Sequence, residues 1–145
     1  MSNEPRRTLP LAIEILAPIY KDKIVCELGC GTGSTMELFI NYGAKKCIGI
    51  EILSELVEIA RKKKLMVIEG DVCSIKIPKA DVYYNWTPLP TATYVINRIK
   101  KGIIICGHMP HLNEELDKYG GVRINVPCEE TEWDSTNFEI TIIKK

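Results

Sequence analysis

The chain has 145 residues, 46% of them apolar and 26% charged, which matches one ordinary domain with enough apolar material for a core and excludes disorder. Nineteen Lys and Arg balance nineteen Asp and Glu, so the basic excess usual in proteins that live on phosphate backbones is missing, and nucleic acid is not favoured as a partner. The longest apolar runs, such as 103–106, are far shorter than the ~20 residues of a bilayer span, and the polar start Met1-Ser2-Asn3-Glu4-Pro5 holds no secretory apolar stretch. A soluble, cytoplasmic protein folded as a single domain over 1–145 is expected, with no membrane contact.

In chain order, residues 9–19 place Leu9, Ala12, Ile13, Leu16 and Ala17 on one helical stripe that Pro10 can begin and Pro18 helps to end. This helix belongs to an N-terminal segment, 1–22, ahead of a core over 23–145. Residues 23–28 are a compact apolar run read as a strand, Gly29, Gly31 and Gly33 interrupt it, and 34–42 returns to helical spacing. A second strand, 47–50, ends at Glu51. Ser54 then caps a helix with Glu55 and Glu58 early and Arg61 to Lys64 late, charges that suit the helix dipole and give the lysine run a solvated helix end rather than a ligand patch.

Residues 65–69 predict a third strand closing on Gly70-Asp71-Val72, and 80–84 a fourth closing on Asn85-Trp86-Thr87-Pro88. A helix over 90–99, a fifth strand over 102–106 and a helix over 110–119 follow, and Gly120-Gly121 precedes two last strands, 122–126 and 138–143. Strand and helix alternate throughout, so the expected fold is α/β. Its sheet is doubly wound, Rossmann-like, seven-stranded and mostly parallel with helices on both faces, because parallel strands need crossovers. The last two strands lack a helix between them, so one antiparallel hairpin strand is expected near the sheet edge.

Four of the six cysteines lie in or against apolar runs and read as buried reduced thiols. Cys26 and Cys30 have neither a second ligand pair nor a nearby His, so no metal site is expected.

In an open α/β sheet the ligand site lies beyond the carboxyl ends of the strands. After the first strand, the stretch Glu27-Leu28-Gly29-Cys30-Gly31-Thr32-Gly33 lacks Cβ atoms where backbone would approach a ligand, and the next helix points its amides there. Glu51, 22 residues beyond Gly29, stands where a carboxylate accepts two hydrogen bonds from a ribose diol, with Ile52 beside it. Asp71, followed by Val72, can accept from an exocyclic amine or simply make a turn. Counting from Gly29, the sixth position is Ser34 rather than Gly or Ala, which disfavours a nicotinamide dinucleotide; Glu27 is a poor neighbour for pyrophosphate but a good one for a cationic, amino-bearing ligand.

The segment Val25-Cys26-Glu27-Leu28-Gly29-Cys30-Gly31-Thr32-Gly33 resembles motif I of the class I S-adenosylmethionine-dependent methyltransferases, and the likeness extends from about Lys23 to the end of the chain. That resemblance implies S-adenosylmethionine as cofactor: the glycine loop with Glu27 around its amino acid part, Glu51 on the ribose and Asp71 at the adenine. It implies a motif IV at 81–88, where Asn85 orients a nucleophilic nitrogen, with a second part in the cofactor site. Asn85-Trp86-Thr87-Pro88 shares only its Asn, its aromatic and one proline with the Asp/Asn-Pro-Pro-Tyr of adenine and glutamine N-methyltransferases. Tyr84-Asn85-Trp86 is more similar to the seven-stranded protein-lysine methyltransferases, where an aromatic wall holds an ammonium group by cation–π attraction; the alternative is that Trp86 packs under the next helix.

Tyr84, Asn85 and Trp86 are therefore the candidate catalytic residues. Tyr83 and His108 are unspecific helpers, and His108 and His111 read better as loop residues than as bases. A seven-stranded sheet nearly consumes 145 residues, which favours a macromolecular acceptor that covers the site itself, a protein lysine or other amine. The alternatives are a non-catalytic S-adenosylmethionine-binding subunit completed by a partner chain, for which aromatics near Trp86 and Trp133 supply a surface, and a nicotinamide-dependent oxidoreductase.

Overall fold

A computed structural model describes residues 10–85, 91–107, 116–127 and 137–145. Along the chain run α1 (Pro10–Tyr20), β1 (Ile24–Leu28), α2 (Ser34–Asn41), β2 (Lys46–Glu51), α3 (Ser54–Lys62), β3 (Met66–Glu69), β4 (Val82–Asn85), α4 (Thr91–Arg98), β5 (Ile103–Cys106), β6 (Val122–Pro127) and β7 (Asn137–Lys144). The strands form one seven-stranded sheet in the order β3-β2-β1-β4-β5-β7-β6. Every neighbouring pair is parallel except those made by β7, which runs antiparallel to both β5 and β6. The antiparallel hairpin strand expected near the sheet edge is β7, one place in from it. The chain turns back after β6 and fills the gap beside β5.

Strand alternation divides the core. Val25, Cys47, Val67, Val82, Tyr84, Ile105 and Ile140 face one way, against Ala12, Ile13 and Leu16 of α1, Met36 and Phe39 of α2, and Val57 and Ala60 of α3. Cys26, Leu28, Ile50, Tyr83, Ile104, Cys106 and Ile143 face the other, against Ala92, Val95 and Ile96 of α4 and Leu116. These strands carry apolar residues on both faces, as a sheet covered on both sides requires. Cys26, Cys30, Cys47 and Cys106 lie buried within it.

Three local expectations are corrected. Pro18 does not end α1, which continues through Tyr20; Pro18 removes one donor, but the ladder resumes at the Lys21 N–H to the Ala17 carbonyl (2.8 Å), and the buried Tyr20 hydroxyl donates back to the Ile13 carbonyl at 2.6 Å. Ser54 does not cap α3: Leu53 holds that position without a side-chain cap, and the Ser54 hydroxyl bonds Glu69 Oε2 at 3.1 Å instead. Strand and helix do not alternate throughout either. Residues 70–81 join β3 to β4 without a helix, and Cys73, Ile75, Ile77 and Ala80 pack the strap onto the second core. The expected helix over 110–119 falls mostly outside the described residues.

Candidate functional site

The carboxyl ends of β1, β2, β3 and β4 bring together most of the residues singled out by the sequence. Leaving β1, the chain turns through Gly29, Gly31 and Gly33 with φ of 80°, 57° and 87°, a region closed to most L-residues. The Gly29 and Cys30 amides both donate to the Ile50 carbonyl at 2.9 Å, which lashes the loop to the end of β2. At Gly33, the N-terminal cap of α2, an added Cβ would stand 2.3 Å from Leu65 Cδ1. Glycine is needed there for helix packing as well as for the turn.

Glu51 completes this lashing. Only 8% exposed, its Oε1 accepts from the Gly31 amide at 2.8 Å and its Oε2 from the Leu53 amide at 3.0 Å. One carboxylate therefore fixes the loops after β1 and β2 relative to each other, with lone pairs still open on both oxygens. Beyond it Ile52 and Leu53 are 58% and 52% exposed, apolar side chains standing in solvent beside an acid.

Glu27 sits inside β1 in register with Gly49 of β2 and Tyr84 of β4. It is 3% exposed and its Oε2 has no hydrogen-bond partner. Burial, followed by the charge of Glu51, pushes its pKa well above the ordinary carboxylate value. Two buried acids thus face one loop, and among the described residues no Lys or Arg pairs with either. That donor set suits a ligand carrying a cation and hydroxyl donors.

Other sequence candidates take different places. Cys30 turns its thiol into the core, and burial, reinforced by the nearby acids, raises its pKa to about 12; only its backbone faces the loop. Thr32 is half-buried, its hydroxyl 3.4 Å from that of Ser34. Asp71 makes the turn: Oδ1 accepts from the Cys73 amide at 2.8 Å, and its carbonyl accepts from Ser74 and Ile75 at 2.9 Å. Val72 is buried in the second core. Asn85, the last residue of β4, is 1% exposed; it lies in register with Cys106 of β5, and its carbonyl accepts from the Gly107 amide at 3.1 Å.

Tyr84 is a core residue rather than part of the site. Its ring lies edge-on to Phe39 at 5.3 Å, as Phe39 does to Tyr20 at 4.9 Å. Tyr83 is spent in the other core, its hydroxyl donating to the Pro78 carbonyl and accepting from the Ala80 amide. Trp86, His108, His111 and Trp133 lie outside the described residues.

Sequence reasoning missed two contributors. Gly49 reads as an unremarked strand residue, yet an added Cβ would stand 2.6 Å from both Cys30 Sγ and Met36 Sδ; it makes room for the loop to fold under β2. Arg98, near the end of α4, donates to the carbonyls of Val72 and Ile75 and so fastens the strap that carries Asp71. Neither leaves a local sequence signal, because each acts on a partner more than 12 residues away.

Known proteins agree with this geometry. A methyltransferase domain model matches residues 26–85. Protein arginine N-methyltransferase 1 of Saccharomyces cerevisiae is 32% identical over 79 residues, 54% of this chain and 22% of the relative, so the chain spans about a fifth of that protein. Among solved structures, a ribosomal protein L11 methylase from Lactobacillus delbrueckii superposes with a TM-score of 0.69 at 14% identity, covering 92% of this chain and 77% of that one. An S-adenosylmethionine-dependent methyltransferase from Mesorhizobium loti gives 0.67 at 12% identity, over 92% and 96%. The domain match over residues 26–85 and the shared seven-stranded fold make the chain similar to S-adenosylmethionine-dependent methyltransferases, and S-adenosylmethionine is the cofactor named for the Mesorhizobium protein. The buried, unpartnered Glu27 beside an acid with open lone pairs fits that cofactor, which carries an ammonium group, a sulfonium and a ribose diol.

Proposed function

We propose that this chain, with 23–145 as one cofactor-binding core behind the segment 1–22, is a cytoplasmic methyltransferase that methylates a nitrogen acceptor, a protein lysine or another amine. The observation that carries the reading is the buried pair Glu27 and Glu51 at the glycine loop, two acids that no Lys or Arg pairs among the described residues. Glu27 takes the ammonium group of the cofactor's amino acid part, alongside the backbone of 29–33. Glu51 accepts from the ribose hydroxyls through the lone pairs left by Gly31 and Leu53. Exposed Ile52 covers one side of the adenine, and Asp71 with Val72 borders it from the strap. When bound, S-adenosylmethionine supplies an electrophilic methyl group on a sulfonium.

Asn85 orients the acceptor nitrogen from the end of β4, and Trp86 follows it as the aromatic wall. Such a site works chiefly by alignment. The yeast relative, a protein arginine N-methyltransferase, supports a nitrogen of a protein as the acceptor class; the choice of lysine rests on Tyr84-Asn85-Trp86 alone.

The test is transfer of a tritiated methyl group to lysine- and arginine-containing peptides and to whole-cell protein. Labelled protein that disappears with Asn85→Ala even at a cofactor concentration that saturates the variant supports the reading. Tight cofactor binding without transfer to any protein or small amine contradicts it and returns the non-catalytic subunit.

A further inference from the structure

The zero net charge conceals a segregation of charge along the strands. The acids Glu27, Glu51, Glu69 and Asp71 stand at the carboxyl ends of β1, β2 and β3, whereas the amino-terminal edge of the sheet is a row of lysines. The ladder fixes that row. Lys46 lies opposite Ile24; the Ile24 carbonyl accepts the Asp81 amide, the Asp81 carbonyl accepts Ile103, and Gly102 and Lys145 exchange both their bonds. Five neighbouring strands therefore begin or end at one level, bringing Lys46, Lys23, Lys79, Lys101 and Lys145 to it with Lys100 alongside. At a strand spacing of ~4.8 Å the row is roughly 19 Å long.

Under the end of α4 this edge is concave. A groove of about 770 Å³ is lined by Lys23, Lys79, Asp81, Arg98, Lys100 and Lys101. All the lysines in the row are exposed, and among the described residues none pairs with a carboxylate. Asp81, the acid within the groove, gives Oδ2 to the Ile24 amide at 2.9 Å, and Asp22 is the other acid at this edge. Lys145 is the most constrained of the row: its Nζ donates to the Ile96 carbonyl at 2.6 Å and lies 5.7 Å over the Tyr119 ring, and burial, then the charge of Lys100, lowers its pKa. Helix C-termini point to this edge and favour cations over their last turns, which accounts for Lys23, whose amide donates to the Tyr20 carbonyl at the end of α1 at 3.0 Å, but not for Lys46 and Lys79, which lie further from any helix end.

We propose that this lysine edge is a second binding site, for the phosphate backbone of a nucleic acid, at the end of the sheet opposite the cofactor loop. Phosphates recur every ~3.4 Å of axis along one strand of a duplex and further apart in an extended single strand, so a row of this length faces roughly three to five of them. Lysines are mobile point charges, which suits a repeating backbone without base reading. Ile77, Tyr83 and Ile99 line the groove beneath the cations, but Tyr83 and Ile99 are buried in the core, so the groups that reach solvent along the edge are the lysines. The length of β1 separates row and cofactor loop by roughly 15 Å. Bound strand and methylated atom are therefore distinct, and the edge would hold the protein on a nucleoprotein while the other end meets its acceptor.

The test is fluorescence anisotropy of the full chain with a fluorescein-labelled 20-residue oligouridylate across 50–300 mM salt. Binding is expected with a log–log salt slope of about −2 to −3, corresponding to three or four phosphates at ~0.7 each. In K23Q/K100Q/K101Q the slope should shrink by about 2 and affinity at 100 mM salt fall at least tenfold, with the melting temperature within about 2 °C of the parent. Absence of binding at 50 mM salt, or a triple variant that binds like the parent, overturns the proposal. So does polyglutamate competing as well as oligouridylate charge for charge, which would make the edge a docking surface for acidic protein.

Discussion

The half of the sheet formed by β1, β2 and β3 and the half from β4 onward are built by different means. In the first, function is written into the backbone: three glycines in left-handed conformations, a fourth that makes room beneath them, and an acid whose two oxygens bind two loop amides. In the second, the strands are buried rungs, and the acceptor chemistry expected there falls at Asn85, the last residue of β4, and at Trp86 beyond it in sequence. A cofactor common to a family can be met by a fixed backbone, whereas an acceptor that differs between members must be met by side chains on loops. Substitutions in the first half should therefore be intolerant of a single methyl group, and those in the second more forgiving.

The sharpest contrast is between two glycines. Gly49→Ala drives a Cβ to 2.6 Å from Cys30 and Met36 and should cost about 3 kcal/mol, the upper range for overpacking. At about 2–4 °C per kcal/mol, that lowers the melting temperature by roughly 6–12 °C, as calorimetry would read. Gly120 before β6 also has a left-handed φ of 71°, but nothing lies within 4 Å of its would-be Cβ. Gly120→Ala should cost only about 1 kcal/mol, the backbone penalty alone. Equal losses at the two positions would break the comparison.

Between these falls Glu27→Gln. Because burial and Glu51 raise the Glu27 pKa, the folded chain binds this proton more tightly than the unfolded one. Its contribution is then largest at low pH and is lost as pH rises from the unfolded value of about 4.5 toward the raised folded one. Melting temperature followed against pH should fall over that window in the parent and be flatter in Glu27→Gln. Cofactor affinity should drop about tenfold or more as the charged partner of the ammonium disappears. A parent curve that rises through the same window would contradict the burial argument.

How far the sequence reveals this molecule depends on the range over which each residue acts. Glu27, the glycines and Glu51 are legible because a local chemical pattern, acid then spaced glycines then acid at a strand end, carries the requirement. The sheet is legible because apolar runs alternate with helical stripes. Gly49 and Arg98 are not, since their partners Met36 and Val72 are brought to them only by the sheet crossovers. Tyr84 was misplaced for a related reason: beside Asn85 it reads as part of a motif, but strand alternation turns its ring to the α2 side against Phe39. The missing helix between β3 and β4 leaves no signal until Arg98 is seen to tie the strap down.

The central claim, that two buried acids and a glycine loop hold S-adenosylmethionine, is tested most directly by isothermal titration of the chain and of Glu51→Ala with S-adenosylmethionine and with NAD. Micromolar binding of S-adenosylmethionine is expected, with no comparable binding of NAD and a loss of about 1.5–3 kcal/mol, roughly 10- to 150-fold, in Glu51→Ala. Equal affinity of parent and variant, or tighter binding of NAD, would contradict it.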